Sequence, residues 1–261
     1  MPASLLGIIP CIWIRCPISV FSFSIILGGN GLDRIAVLTS GGLDSSVLLA
    51  EEAKTAEVYP IYVRCGLAWE DAERSALDAF LHSLNSPNVK PVTTLAAPVR
   101  AMYGDHWSVG PDGVPGADEP DTSVFLPGRN ILLIGLAAVW CSTHKVFRVG
   151  IGSLGGNPFP DATPDFFQKF AAALTSGLDH VVEVKAAFRE LHKWDVIKRF
   201  QSLPLNLTLT CMAPLEGIHC GQCNKCRERQ VAFGRSGVRD LTIYATGAAI
   251  PGIQNASDGH S

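Results

Sequence analysis

No apolar run in this sequence reaches the roughly 20 residues that a bilayer-spanning helix requires, which removes a membrane-embedded role. The most apolar stretch, 1–29, is broken by Pro10, Arg15 and Pro17 and leaves only 18–27 uninterrupted. That remnant has the length of a signal-peptide core, but residues 1–33 are read instead as an unstructured extension ahead of a downstream translation start. Charge is scarce as well: 17% of residues are charged and the net charge is -3, so duplex nucleic acid finds no basic footprint. Internal repeats are missing, and the eight cysteines do not scatter as a disulfide framework would. Four of them, Cys211, Cys220, Cys223 and Cys226, crowd into sixteen positions near the C-terminus, which suits metal binding in a reducing compartment. What remains is an ordinary folded composition, 47% hydrophobic, in a chain of 261 residues that can bury a core unaided.

From Arg34 onward short β-branched runs alternate with longer segments of helical period. Strands are expected at 34–39, 58–63, 91–95, 145–151 and 181–185, each short and apolar in the main as a strand covered on both faces should be. Helices are expected at 43–54, 69–83, 130–143, 164–175 and 192–202, supplying the crossovers that parallel pairing needs. The fold class is therefore α/β, with a Rossmann-like parallel sheet. The segment 105–123, rich in Gly, Pro and Asp, is expected to be a mobile lid or a disordered loop, or else a plain surface insertion. The expected division is an extension at 1–33, a nucleotide-binding domain at 34–203, a metal-binding subdomain at 204–240 and a flexible tail at 241–261.

The sharpest motif is Ser40-Gly41-Gly42-Leu43-Asp44-Ser45-Ser46, placed between the first strand and the first helix. Its glycines allow a tight turn that points several N–H groups at one anion, and the helix N-terminus adds positive potential. The serines can donate to phosphate oxygens, and Asp44 can hold a bridging Mg2+. No Gly-Lys-Ser/Thr follows this loop, and it lacks the Gly-x-Gly-x-x-Gly spacing of dinucleotide binders. Its plain alternative is a helix-capping turn. The loop resembles the Ser-Gly-Gly-x-Asp-Ser signature of PP-loop ATP pyrophosphatases, which implies an adenine nucleotide alpha-hydrolase-like fold. It also implies ATP held by its β- and γ-phosphates while a substrate oxygen attacks the α-phosphate.

Cys220-Gly221-Gln222-Cys223-Asn224-Lys225-Cys226 is a double C-x-x-C, and with Cys211 it can close a tetrahedron about one Zn2+. Such a closed shell is structural. A redox pair, an iron–sulfur cluster and ordinary buried cysteines are the alternatives. Cys65 follows a strand end where α/β sheets place ligands, whereas Cys141 belongs to an apolar helix face.

Further stretches then line up: Leu126-Pro127-Gly128-Arg129-Asn130, Pro160-Asp161-Ala162-Thr163-Pro164-Asp165-Phe166, Lys193, Thr208-Leu209-Thr210-Cys211, and Cys220 through Arg229 with Phe233. Over 34–234 the chain resembles the 7-cyano-7-deazaguanine synthase family. The resemblance implies a cytoplasmic ligase, as a homodimer, that spends ATP to activate a small-molecule carboxylate, 7-carboxy-7-deazaguanine. Ammonia then gives an amide that is dehydrated to a nitrile on the route to queuosine. Arg129 preceding a helix can neutralise nucleotide or carboxylate charge, its alternative being a surface arginine. Asn130 reads equally as a helix N-cap. Asp161 and Asp165 can contact a purine-like edge, with capping of the next helix as the alternative for Asp161. Lys193 can reach phosphate, or it belongs to a solvated helix face. The resemblance lapses at 64–69, Arg64-Cys65-Gly66-Leu67-Ala68-Trp69, and at Gly155-Gly156-Asn157, which points to an altered substrate in the same reaction class. Two other functions stay open: sulfur transfer to a tRNA base and a non-catalytic zinc-bearing interaction protein.

Overall fold

In the computed structural model, which describes residues 33–110, 112–245 and the backbone of 253–254, β1 (Asp33–Leu38) lies at the middle of a five-stranded parallel sheet. Its side chains alternate between two apolar layers. Ile35 and Val37 face one core with α1 (Leu43–Glu52), and Ala36 and Leu38 face the other. A strand buried on both sides needs no polar alternation, which is why 35–38 reads as one continuous apolar run. β2 (Ala56–Arg64) pairs with β1, and β3 (Thr93–Ala96) adds outside β2 after the crossover α2 (Glu70–Leu84).

Beyond the one-turn helix α3 (Arg100–Tyr103) and the two-residue strand β4 (Val114–Pro115), the chain crosses to the opposite edge of β1. There α4 (Arg129–His144) leads to β5 (Arg148–Gly150), and α5 (Pro164–Leu178) leads to β6 (Glu183–Lys185). The resulting order, β3-β2-β1-β5-β6, reverses direction next to β1. In open α/β sheets that reversal opens a crevice at the strands' carboxyl ends, and the 40–46 loop lies in it. α6 (Lys193–Arg199) and α7 (Asn224–Ser236) pack on the α1 face through Val196, Ile197, Ala232 and Phe233. β4 pairs in parallel with β7 (Ile253–Gln254).

The five expected strands and five expected helices all form, with shifts at their ends that have a local cause. Lys145 (φ 55°) and Asp179 (φ 47°) close α4 and α5 in the left-handed conformation. The chain must turn back before it can pair, so β5 and β6 start at Arg148 and Glu183 rather than at 145 and 181. Two expectations need correction. The segment 105–123 is packed, with Ser108, Val109 and Val114 buried against the core. Asn130 is not a cap, because α4 starts one residue earlier and is capped by Gly128. Expectations for 1–32 and for most of the tail lie outside the described residues.

Candidate active site

The turn after β1 is shaped from below by α2. Gly41 adopts φ 75°, and a Cβ there would lie 2.3 Å from the Glu73 carbonyl oxygen, so the site admits glycine alone. Within the turn, Gly42 N–H donates to Ser40 Oγ and Ser40 N–H donates to Ser45 Oγ, both at 3.2 Å, and Ser45 Oγ–H donates to the Gly42 carbonyl. Leu209 N–H clamps the turn from the C-terminal segment by donating to the Gly41 carbonyl at 2.9 Å. Ser40, Gly42, Leu43, Asp44 and Ser45 line a cleft of about 840 Å³. Gly41 lies beneath it, and Ser46 is buried behind. From the β5 side Gly152 closes in so tightly that a Cβ would sit 2.9 Å from Ser45 N.

Asp44 and Lys193, far apart in sequence, meet in this cleft: Lys193 Nζ lies 3.3 Å from Asp44 Oδ2 and 2.7 Å from Glu228 Oε1. Lys225 Nζ takes the other Glu228 oxygen at 2.8 Å. Burial raises the Asp44 carboxyl above its usual range against the pull of Lys193. Burial also opposes charge on Lys193, but Asp44 and Glu228 outweigh it and hold the ammonium well above its ordinary value. Burial works against Glu228 too, yet Lys193 and Lys225 pull it down to about 2. Asp44 Oδ1 is buried without a partner among the described residues, an orphaned acceptor facing the cleft.

The facing wall carries Arg129, Asn130 and Asp161, held as a unit. Asn130 N–H donates to Asp161 Oδ2 and Asn130 Nδ2 donates to the Asp161 carbonyl, both at 3.0 Å. Asp161 therefore serves the start of α4, while Thr163 caps α5. Arg129 Nε is buried and unpartnered among the described residues. Asp165 is exposed, pairs with Lys169 and lies away from the lining.

Sequence reasoning missed Glu73. It reads as a solvated charge in Glu70-Asp71-Ala72-Glu73, yet it shares the buried α2 face with Glu70, Leu77 and Phe80, a helical spacing that could have revealed it. Burial pushes its carboxyl up to about 7 despite Arg129 nearby. Because the folded value lies above the ordinary 4.5, its contribution to stability is complete below about pH 4.5 and is lost as pH rises towards 7. Glu73→Gln is expected to melt progressively higher than the parent across that window, by roughly 3 kcal/mol at pH 8. Parallel melting curves for the two proteins would refute this. Cys65 is 4% exposed and burial pushes its thiol up; burial raises Cys141 to about 12.

The segment 105–123 roofs the cleft. Trp107 stacks on Trp69 at 5.7 Å, and Glu119, Pro120 and Asp121 join the lining. It is fastened to the cysteine turn by a Gly116–Cys223 bridge and by Asn224 Nδ2, which donates to the Glu119 carbonyl at 2.7 Å.

Cys211, Cys220, Cys223 and Cys226 are all buried, with their sulfurs within 4.8 Å of one another. Cys220 and Cys226 Sγ are 3.8 Å apart, the edge expected of a tetrahedron with Zn–S bonds of about 2.3 Å. Backbone N–H groups of Gln222 and Cys223 donate to Cys220 Sγ, and that of Cys220 donates to Cys211 Sγ. The donor set fits a structural zinc ion.

A parallel α/β sheet with a glycine-tight turn at its switch point defines a Rossmann-like nucleotide-binding fold, here bearing a cysteine cluster suited to zinc. The family model of queuosine biosynthesis protein QueC matches residues 34–237, and the chain belongs to that family. It is 29% identical over 208 residues to 7-cyano-7-deazaguanine synthase 1 of Desulfitobacterium hafniense (strain Y51), covering 78% of this chain and 92% of that one. Against 7-cyano-7-deazaguanine synthase of Azoarcus sp. (strain BH72) the identity is 31% over 227 residues, 82% and 97% of the two chains. Against that of Methanopyrus kandleri it is 30% over 225 residues, 80% and 97%. Among the described residues, no helix is long and apolar enough to cross a membrane.

Proposed function

We propose that this enzyme activates a carboxylate at the α-phosphate of ATP, releases pyrophosphate, and passes the acyl group to ammonia. The observation that carries the reading is one cleft holding the anion turn with Asp44 and Lys193 on one wall and Arg129 on the other. In this scheme the Leu43, Asp44 and Ser45 amides and the Ser40 hydroxyl cradle the departing diphosphate. Lys193 offsets its growing charge. Arg129, with its unpaired Nε, orients the substrate carboxylate opposite the α-phosphorus. Asp44, through its orphaned oxygen, would hold Mg2+, which supplies charge neutralisation across the phosphate oxygens. Asp161 acts by fixing the start of α4 beneath Arg129.

The substrate we favour is 7-carboxy-7-deazaguanine, going by way of the amide to 7-cyano-7-deazaguanine, or a related carboxylate. Its ring would enter between Trp107 and the Phe125–Phe159 stack, whose centroids are 5.0 Å apart. We assign the reaction to the cytoplasm, where ATP and reduced cysteines coexist. Sulfur transfer is disfavoured because it requires a thiolate at Cys65, where burial favours the thiol. Purified protein given ATP, ammonium and 7-carboxy-7-deazaguanine is expected to release AMP and pyrophosphate with turnover when all three are present, and at most about one pyrophosphate per chain when ammonium is left out. Release of ADP, or turnover indifferent to the carboxylate, would sink the proposal.

A further inference from the structure

α7 begins at the cysteine cluster and packs on α6 in the core that both share with α1, with Glu228 in the lining of the cleft, so one helix links the zinc-type ligands to that cleft. Two of its side chains reach towards that turn. Glu228 grips Lys193, and Arg229, fully buried, donates to Thr208 Oγ1 at 3.0 Å and to the Leu205 carbonyl at 2.7 Å. Those residues lead directly into Leu209, whose N–H holds the Gly41 carbonyl. Arg229 thereby ties α7 to the segment that clasps the turn, while Glu228 holds the lysine beside it.

The ammonium of Lys193 has three N–H donors and two carboxylates on it, so one donor is left for an anion in the cleft. Asp44 offers Lys193 one oxygen and would offer the other, Oδ1, to a cation bound to the phosphates, which would draw off part of the charge that holds the ammonium. Glu228 faces no such demand. Its second oxygen is tied to Lys225 at 2.8 Å. We propose that Glu228 is a positioning residue, which keeps the Lys193 ammonium aimed at the nucleotide's phosphates when Asp44 is drawn to the metal. This rests on the reading that ATP binds at the 40–46 turn and goes beyond it by making the zinc-bearing helix a determinant of nucleotide affinity.

The test is a double-mutant cycle on ATP binding, read by calorimetry in the presence of Mg2+, with zinc content and melting temperature recorded for each protein. Glu228→Gln keeps the shape and is expected to weaken ATP binding about tenfold while retaining one zinc per chain. Lys193→Met weakens it further. The double variant is expected to bind no worse than Lys193→Met alone, because Glu228 acts only through that lysine. Glu228→Asp, one methylene shorter, gives the same pattern with a smaller loss and serves if the glutamine variant does not fold. Unchanged affinity in Glu228→Gln, or losses that add fully in the double variant, would overturn the proposal. Failure of the parent protein to bind ATP at all would instead remove the reading on which it rests.

Discussion

Lys193→Met is expected to cost about 3 kcal/mol of stability at pH 7.5, seen as a fall in melting temperature of roughly 10 °C. The reason lies in what stays behind. Asp44 and Glu228 approach the same ammonium from two sides in a partly buried place, and without it two carboxylates confront each other with Lys225 still paired to Glu228. Asp44 is already inclined towards the acid form by burial, so it should yield first and take up a proton. The deficit should therefore shrink as pH falls towards 5. Formation of AMP should drop by at least about 100-fold, since a cation aimed at developing phosphate charge is lost. A variant that melts with the parent and keeps its turnover would show that the lysine is neither structural nor part of the phosphate site.

Cys223→Ser should do more damage, and for another reason. Serine fills nearly the same volume but ligates zinc poorly, so the expected change is loss of the metal, with zinc per chain falling from one to near zero. The metal's binding free energy is folding free energy for the segment it closes. Here that segment carries the Gly116–Cys223 bridge, the Asn224 contact to Glu119 and the whole of α7. We expect the melting temperature to fall by more than about 10 °C and the transition to broaden. Cys141→Ser, equally buried but away from the cluster, should lose less and keep its zinc. A colourless parent with one zinc per chain also separates this reading from an iron–sulfur cluster. Full zinc occupancy and a sharp melt in Cys223→Ser would refute it.

How much of this could be read beforehand followed from which residues advertise their environment. β1, β2 and the 40–46 turn were legible because an unbroken apolar run and a Gly-Gly turn have few other meanings. The cysteines were legible because thiols at that spacing rarely cluster by chance. α7 escaped notice as a helix, although its buried positions, Cys226, Arg229, Ala232, Phe233 and Ser236, recur at helical intervals. An arginine and a cysteine stand where that pattern normally shows leucine, and the segment reads as polar. Glu73 and Glu228 were hidden likewise: a carboxylate among other charges looks like a solvated face until a packed partner is seen. Asp165 had the opposite history, since its place beside Asp161 gave it an importance that an exposed pair with Lys169 does not bear out.

The cleft is assembled from the two ends of the described chain. Asp44 belongs to its first helix and Glu228 to its last long one, and β1 lacks its β5 neighbour until more than half the polypeptide exists. Such pairings between distant segments close slowly. During synthesis, β1, β2 and β3 can assemble early with one edge of β1 bare, whereas the anion turn stays without its lysine, its glutamate and its Leu209 clasp until the cysteine region has left the ribosome. A nascent chain would thus gain the ability to retain nucleotide abruptly and late, in the same interval in which it captures its metal.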